Sequence, residues 1–277
     1  MVHVESAYAT PVTVLRAKYA ELSGKLQDNQ FQKPLYLDSS ESSGEVTGSL
    51  YALIQEPFPT VQWALKEPAH WCDILILHLN TKYCRASAEG AWTVLKVNIG
   101  RKAEQSILQS YRVDFSYRVM SATQDHLAVV LDAAKGPFGT RNYSILIEAV
   151  PLKGGQTFVH LAYSYTYGTV AKLAINAYLG TVGKKKVGFT VTDKRPDGQV
   201  EYIDGLRGLV ERNTMRYYLA IEAYLGALSA PPSAQLEKRL RDWYAAVERY
   251  PRQLHEIEQN DYLEMKRREY SRQQTEL

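Results

Sequence analysis

Apolar and polar residues alternate along the middle of this chain. The clearest segment is Tyr111–Met120, in which every second residue is a large apolar or aromatic one. A period of two is typical of a β-strand with one buried face. Similar patterns predict further strands, and the short turns between them favour antiparallel pairing in an α+β fold. These segments are Val46–Ile54, Trp92–Ile99, Leu127–Asp132, Tyr143–Val150 and Thr157–Tyr167.

Apolar residues recur at helical spacing near the N-terminus and in two segments of the second half of the chain. This spacing predicts helices over Val12–Gln27, Val170–Val182 and Gly205–Leu228, the last preceded by Asp204 as a cap. A shorter helix is expected from Thr60, as its cap, to Lys66, with Pro68 interrupting it. The segment Ala69–Leu79 fits either a helical turn or a buried strand.

Polar and glycine-rich segments separate these elements. Asp38–Gly44 is interpreted as a loop, and Arg195–Gly198 as the turn of a hairpin between Val187–Thr192 and Gln199–Ile203. The basic stretch Gly183–Gly188 has the wrong residue order for a phosphate loop, so we interpret it as a solvated turn.

The composition is that of a soluble globular protein with an excess of tyrosine. The 277 residues are 45% hydrophobic and 23% charged, with 20 tyrosines against 6 phenylalanines. The net charge of +3 is too small to indicate a nucleic-acid partner. No apolar run is long enough to span a membrane. The first ten residues lack the features of a signal peptide, so both a cytoplasmic protein and a mature exported one stay open.

Motifs of common enzyme classes are missing from the sequence. It has no dinucleotide or Walker phosphate loop, no zinc-protease motif and no nucleophile elbow. The six histidines show no paired spacing that would indicate a metal site. We therefore expect neither a metal nor a cofactor.

The two cysteines, Cys72 and Cys84, lie twelve residues apart. That spacing fits one disulfide in an oxidising compartment or two buried thiols in the cytosol.

The order of elements resembles the START-like (SRPBCC, helix-grip) superfamily. The residues that carry the resemblance are Val61, Leu65, Pro68 and Trp71 after the first strand, and Gly205–Leu225 as the gripping helix. The resemblance covers Val46–Leu228 and implies a curved antiparallel sheet wrapped around a long C-terminal helix. It also implies a lipid- or polyketide-like ligand, usually without a cofactor. The inserted helix Val170–Val182 and the extra tail Ala234–Leu277 depart from the family pattern.

Three parts of the chain follow from this comparison. Residues 1–45 are expected to form an N-terminal helix and loop packed on the domain, residues 46–228 the helix-grip domain, and residues 234–277 a charged helical extension split near Pro251. That extension is most simply a solvated helix packed on the domain, with a partner-binding coiled coil as the alternative.

A ligand cavity of roughly several hundred cubic ångströms is expected between the sheet and the long helix. Arg118 and Asp114 are either polar anchors inside the cavity or part of the outer, solvated face of the sheet. The predicted lining residues are Trp71, Tyr111, Phe115, Tyr117, His160, Tyr163, Tyr165, Tyr217 and Ile221.

The loop that contains Gly136, Phe138 and Gly139 is interpreted as a gate at the cavity mouth. Its glycines allow movement, and an aromatic tip flanked by Lys135 and Arg141 suits transient contact with a membrane surface. The alternative is an ordinary hairpin loop with Phe138 packed on the core.

Three functions are compatible with the sequence. The first, favoured by the missing catalytic motifs, is non-catalytic binding or transport of a hydrophobic small molecule or lipid. The second is a cyclase/aromatase or hydrolase on the same fold, in which His160, Asp114 and tyrosines act as acids and bases. The third is an interaction module that acts through the C-terminal helices. The sequence leaves the ligand, the compartment and the oligomeric state open.

Overall fold

An antiparallel sheet of eight strands forms the centre of the computed structural model, which describes residues 10–180 and 186–275. The strand order is β1-β2-β8-β7-β6-β5-β4-β3. Strand β8 therefore pairs with β2, and β1 and β3 are the two edges of the sheet. The strands are β1 Leu35–Ser42, β2 Glu45–Ile54, β3 Thr81–Glu89, β4 Trp92–Ile99, β5 Tyr111–Ala122, β6 Leu127–Lys135, β7 Arg141–Pro151 and β8 Thr157–Thr166, followed by a separate hairpin of β9 Val191–Lys194 and β10 Val200–Tyr202.

Helices cover both faces of this sheet. They are α1 Pro11–Gln27, α2 Phe58–Leu65, α3 Pro68–Leu75, α4 Thr169–Gly180, α5 Gly205–Gly226, α6 Pro232–Val247, α7 Pro251–Leu254 and α8 Gln259–Gln274. This arrangement confirms the predicted α+β class and the helix-grip architecture.

The long helix α5 packs along the inner face of the sheet. Leu50 of β2 and Leu161 of β8 are fully buried in the same core cluster as Val210 and Ile221 of α5. The two backbones approach closely at Gly48, where an added Cβ would lie 2.3 Å from Thr214 Oγ1. Glycine at this position therefore lets the sheet curve onto the helix.

The C-terminal helices cover the other side of α5. Trp243 of α6 is fully buried, and its indole Nε1 donates a hydrogen bond of 3.2 Å to the carbonyl of Arg216. Leu240 and Leu254 are also fully buried in the main core. The tail is thus the third layer of the structure.

Helix α8 also protects an edge of the sheet. Strand β3 is the last strand in the sheet, and α8 packs against it. The side chain of Gln273 accepts a hydrogen bond of 3.2 Å from the backbone N–H of Cys84, and Lys266 Nζ donates to the carbonyl of Thr81 at 2.8 Å. Edge strands with free backbone groups invite aggregation, so this covering protects the β3 edge from pairing with another strand.

Helix α1 covers part of the outer face. Its predicted apolar stripe is confirmed, because Leu15, Leu22 and Leu26 are buried against Val150 and Phe158 of the sheet. The helix starts at Pro11 with Thr10 as its cap, whose hydroxyl accepts a hydrogen bond from the N–H of Thr13.

Several sequence predictions of elements were wrong. Asp38–Gly44 is not a loop, because β1 runs through Ser42 and pairs with β2. Its polar residue Ser39 points inward and donates to the buried carboxylate of Glu211 at 2.6 Å, which hides the strand pattern. Strand β3 was missed, and α3 shows that the segment after Pro68 begins as a helix.

Two predicted caps also differ. Helix α2 begins at Phe58, before Thr60, and Asp204 precedes α5 without a side-chain hydrogen bond to the helix. The inserted helix is present as α4. The last two residues of its predicted range, 181–182, and residues 183–185 of the predicted basic turn lie outside the described residues.

A disulfide joins Cys72 of α3 to Cys84 of β3. Within the described residues, no helix is both long and apolar enough to cross a membrane.

Candidate ligand-binding site

Tyrosine side chains form a cluster between the inner face of the sheet and α5. Tyr163 and Tyr165 of β8 and Tyr217 of α5 were predicted to line a cavity, and Tyr143 of β7 joins them. Their ring centroids lie 5.2 Å apart for Tyr143–Tyr165, 5.3 Å for Tyr163–Tyr217 and 5.8 Å for Tyr163–Tyr165. Tyr163 and Tyr165 are buried, whereas Tyr143 and Tyr217 are partly exposed.

Burial sets the protonation of this cluster. It raises the pKa of Tyr143 to about 12 and raises the pKa of Tyr163, Tyr165 and Tyr217 further. The phenols are therefore neutral at physiological pH and act as hydrogen-bond donors and acceptors, and not as bases. Tyr143 shares a hydrogen bond of 2.7 Å with Thr140 of the predicted gate loop.

His78 lies against Tyr217, with 5.2 Å between the ring centroids. Burial, followed by the nearby Arg216, holds the pKa of His78 well below its usual range. The N–H of Asn80 donates to its Nδ1 at 3.1 Å, so the neutral ring carries its proton on Nε2. Its position beside the tyrosine cluster could not be predicted, since it is a lone histidine in an apolar run.

Trp71 and Tyr117 form a second group. The indole Nε1 of Trp71 and the hydroxyl of Tyr117 both donate to the carbonyl of Leu65, at 2.7 Å and 3.2 Å. These bonds hold α2 and α3 against the sheet. Phe115 and Ile221 are buried in the core, and Tyr111 is 42% exposed at the start of β5.

His160 lies on the outer face of the sheet, opposite Tyr163 and Tyr165. Its Nδ1 is 3.2 Å from Glu148 Oε2, and its ring stacks on Tyr51 at 4.3 Å. The hydrogen bond from His160 is the main cause of a lowered pKa of Glu148. Because β-strand neighbours point to opposite faces, His160 cannot share a cavity with the tyrosine cluster.

Asp114 and Arg118 also belong to the outer face. Asp114 pairs with Arg112 at 2.7 Å, and Arg118 pairs with Asp132. Asp114 and Arg118 are more than two-fifths exposed. They therefore belong to the outer, solvated face of the sheet, which is the second of the two alternatives given for them, and are not anchors inside the fold.

The predicted gate loop is a short turn between β6 and β7. Phe138 is 71% exposed and adopts a positive φ of 59°. Gly139 also has a positive φ, of 79°. A Cβ at Gly136 would lie 2.1 Å from the ring of Tyr143, so this glycine is required by close packing. Helix α4 packs beside the turn.

A groove of about 410 Å³ lies where the end of β2 meets α5 and α6. We call it the edge groove. We refer to its apolar lining residues as the floor and to its charged lining residues, Lys33, Glu56, Glu222, Asp242 and Arg249, as the rim. Floor residues include Ile54, Leu219, Ala223, Leu225 and Ala246.

A hydrogen-bonded ladder crosses the rim of the edge groove. Lys33 Nζ lies 2.7 Å from Glu222 Oε2, and the hydroxyl of Tyr218 donates to Glu222 Oε1 at 3.0 Å. This ladder links the segment before β1 to α5 and fixes one wall of the groove.

A smaller recess of about 210 Å³ adjoins the edge groove, and Arg249 lines both. We call it the aromatic recess. Its rings are held edge to face, with centroid distances of 5.4 Å for Phe189–Tyr250 and 6.2 Å for Phe31–Tyr250. None of the residues predicted to line a cavity lines either concavity, although both Tyr217 and Ile221 are close in sequence to groove residues of α5.

Metal binding finds no support in the part of the chain that is described, where no group of three His, Cys, Asp or Glu side chains could hold an ion.

Solved structures with a similar arrangement are distant in sequence. No family model matches this sequence, and neither does any curated protein. A conserved protein from Geobacillus kaustophilus is 13% identical, with a TM-score of 0.37 over 65% of this chain and 95% of that chain. Norcoclaurine synthase from Thalictrum flavum is 12% identical, with a TM-score of 0.35 over 52% of this chain and 87% of that one. Human StAR-related lipid transfer protein 5 is 9% identical, with a TM-score of 0.33 over 60% and 88%.

The class of this protein therefore follows from its own strand order and helix packing: an α+β protein of helix-grip architecture. Likenesses at such low TM-scores carry no argument about its ligand or chemistry.

Proposed function

We propose that this protein binds a small apolar or amphiphilic molecule in the edge groove, without converting it chemically. The observation that carries the proposal is the groove itself, which lies between the sheet and the long helix and has a volume of about 410 Å³. Small-molecule sites usually have volumes of roughly 300–1,000 Å³, with mostly apolar walls and a few polar groups.

The walls of the groove suit such a ligand. Leu219 and Leu225 of α5 and Ile54 of β2 are buried core residues that also line the groove, so an apolar ligand would continue the core. Lys33 and Glu222 form an ion pair, so neither of them leaves an unpaired charge beside the apolar floor. Binding would remove apolar surface from water, at roughly 25 cal/mol for each Å².

Ala245 provides a direct test. It lines the groove from the exposed side of α6, so Ala245→Phe should fill the groove without disturbing the core. We expect the Kd for a dansyl-labelled fatty acid, measured by fluorescence titration, to rise roughly ten-fold, since a loss of about 1.4 kcal/mol gives that factor.

Ala234→Phe is the matched control. Ala234 is an exposed alanine on the same helix but does not line the groove, so this variant should bind like the wild type. Equal affinity of the Ala245→Phe protein and the wild type would overturn the proposal.

The tyrosine cluster is a second candidate for the same function. Tyr143 and Tyr217 are partly exposed beside buried neighbours, at the end of the sheet that the Gly136–Gly139 loop covers. Phe138, Val170 and Leu173 of this loop and of α4 are at least two-thirds exposed, which suits contact with a membrane surface during ligand entry.

A further inference from the structure

Arg249 lies between the edge groove and the aromatic recess. It follows the end of α6 and precedes α7, and its exposed side chain lines both concavities. Within residues 10–180 and 186–275, no carboxylate lies within ion-pair distance of it. An exposed cation that lines two concavities can therefore accept a partner from solution.

The other charged groups of the groove rim are mostly paired. Lys33 pairs with Glu222, and Asp242 pairs with Lys238 at 2.7 Å. Glu56 also lines the groove and makes no ion pair with a described residue. The carboxylate of Glu56 and the guanidinium of Arg249 thus have no ion-pair partner among the described residues of the groove.

The recess is more strongly biased towards positive charge. Arg252 lines it together with Arg249, and no carboxylate does. The Arg252 guanidinium lies over the ring of Tyr202 at 5.1 Å and donates to the carbonyl of Val200 at 3.3 Å, so it has no carboxylate partner there either. Positive charge is therefore concentrated where the two concavities meet, at Arg249 and Arg252.

We infer that the ligand is an amphiphile with an anionic head, a carboxylate or a phosphate, held at Arg249 while its apolar part lies in the edge groove. The inference rests on the proposed function and adds the chemical class of the ligand. A guanidinium offers paired donors that match the oxygens of both kinds of head, and charge-assisted bonds of this type are stronger than neutral ones.

The test uses three dansyl-labelled probes of equal chain length: a fatty acid, its methyl ester and an alkyl phosphate. Wild-type protein should bind the acid and the phosphate roughly ten-fold more tightly than the neutral ester. The tighter of the two anions then distinguishes a fatty acid from a lipid phosphate as the natural source of the head.

Arg249→Gln should remove the preference for the two anions over the ester. Arg241→Gln is the control, because Arg241 is 55% exposed on α6, the helix that precedes Arg249, and lines neither concavity. Its probe preferences should equal those of the wild type.

The possible failures are distinguishable. Equal binding of all three probes by wild-type protein, or an anion preference that survives Arg249→Gln, would overturn the inference and leave the proposed groove standing. Absence of binding by every probe, or binding that Ala245→Phe leaves unchanged, would overturn the proposed function itself.

Discussion

Tyrosine hydroxyls bring polar atoms into the space between the sheet and α5. Their neutral state is a consequence of burial, since ionising a phenol in a low-dielectric interior is costly. The placement of polar hydroxyls in this space accounts for tyrosine rather than phenylalanine at these positions. Because the phenols are neutral, the excess of tyrosine does not imply acid–base chemistry. The sequence showed the excess of tyrosine, but not that Tyr143 would join Tyr163 across the sheet.

Tyr143 gives a pH-dependent prediction. Its pKa is about 12 when folded, above the value near 10 of an unfolded tyrosine, so its stabilising contribution is complete below pH 10 and is lost as the pH rises towards 12. Tyr143→Phe should destabilise the protein by about 1 kcal/mol at pH 7, through the lost hydrogen bond to Thr140.

The difference in the free energy of unfolding between wild type and Tyr143→Phe should shrink from pH 9 to pH 12, as measured by urea denaturation. A difference that is constant over this range would show that the phenol is not protected from ionisation.

At the scale of single elements, α8 is held to β3 by buried charges. Glu269 lies 3.0 Å from Lys82 and 2.7 Å from Lys266, and all three side chains are at most 2% exposed. Burial lowers the pKa of Lys266 to about 8, and Glu269 opposes this shift. The carboxylate of Glu269 is therefore the ion-pair partner of two buried ammonium groups. Removing this carboxylate should destabilise the β3 edge of the sheet.

Glu269→Gln is expected to destabilise the protein by roughly 3–5 kcal/mol at pH 7, because two buried cations lose their partner. Lys266→Met keeps the pair of Lys82 and Glu269 and should cost less, mainly through the carbonyls of His78 and Thr81 that it no longer satisfies. Chemical denaturation of both variants measures which substitution lowers the free energy of unfolding more. The reverse order would contradict the assignment of Glu269 as the shared partner.

The Gly136–Gly139 turn is the element that we expect to control access to the tyrosine cluster. Phe138→Asp should slow transfer of a labelled lipid from vesicles while leaving the melting temperature unchanged, because an exposed charge opposes contact with the bilayer. Gly139→Ala should slow exchange, since its positive φ disfavours a side chain. Gly136→Ala is less informative, because its Cβ would displace Tyr143.

Unchanged transfer for both Phe138→Asp and Gly139→Ala would make this turn ordinary scaffolding and leave the edge groove as the site of entry.

At the scale of the whole molecule, the sequence predicted the sheet and the gripping helix well, because β5, β8 and α5 have regular periods. Strand β3 was missed because Thr81, Lys82, Tyr83 and Cys84 are all buried, so no alternation shows. The edge groove could not be predicted. Its lining comes from the segments around Lys33, Ile54, Glu222 and Asp242, which are far apart in the chain and have no common local pattern.

The extra C-terminal helices changed the site as well as the fold. Helix α6 covers the second side of α5 and forms a wall of the edge groove with Ala245 and Ala246. The C-terminal extension thus supplies one wall of the concavity that we propose to be functional.

The most direct measurement is methyl NMR of the protein during titration with the dansyl-labelled fatty acid. We expect the largest shift changes for the methyl groups of Ile54, Ala223 and Ala246, which line the edge groove. Ile145, the cross-strand partner of Tyr163, reports on the tyrosine cluster and should change little. Changes centred on Ile145, with the groove methyls unaffected, would contradict binding in the edge groove.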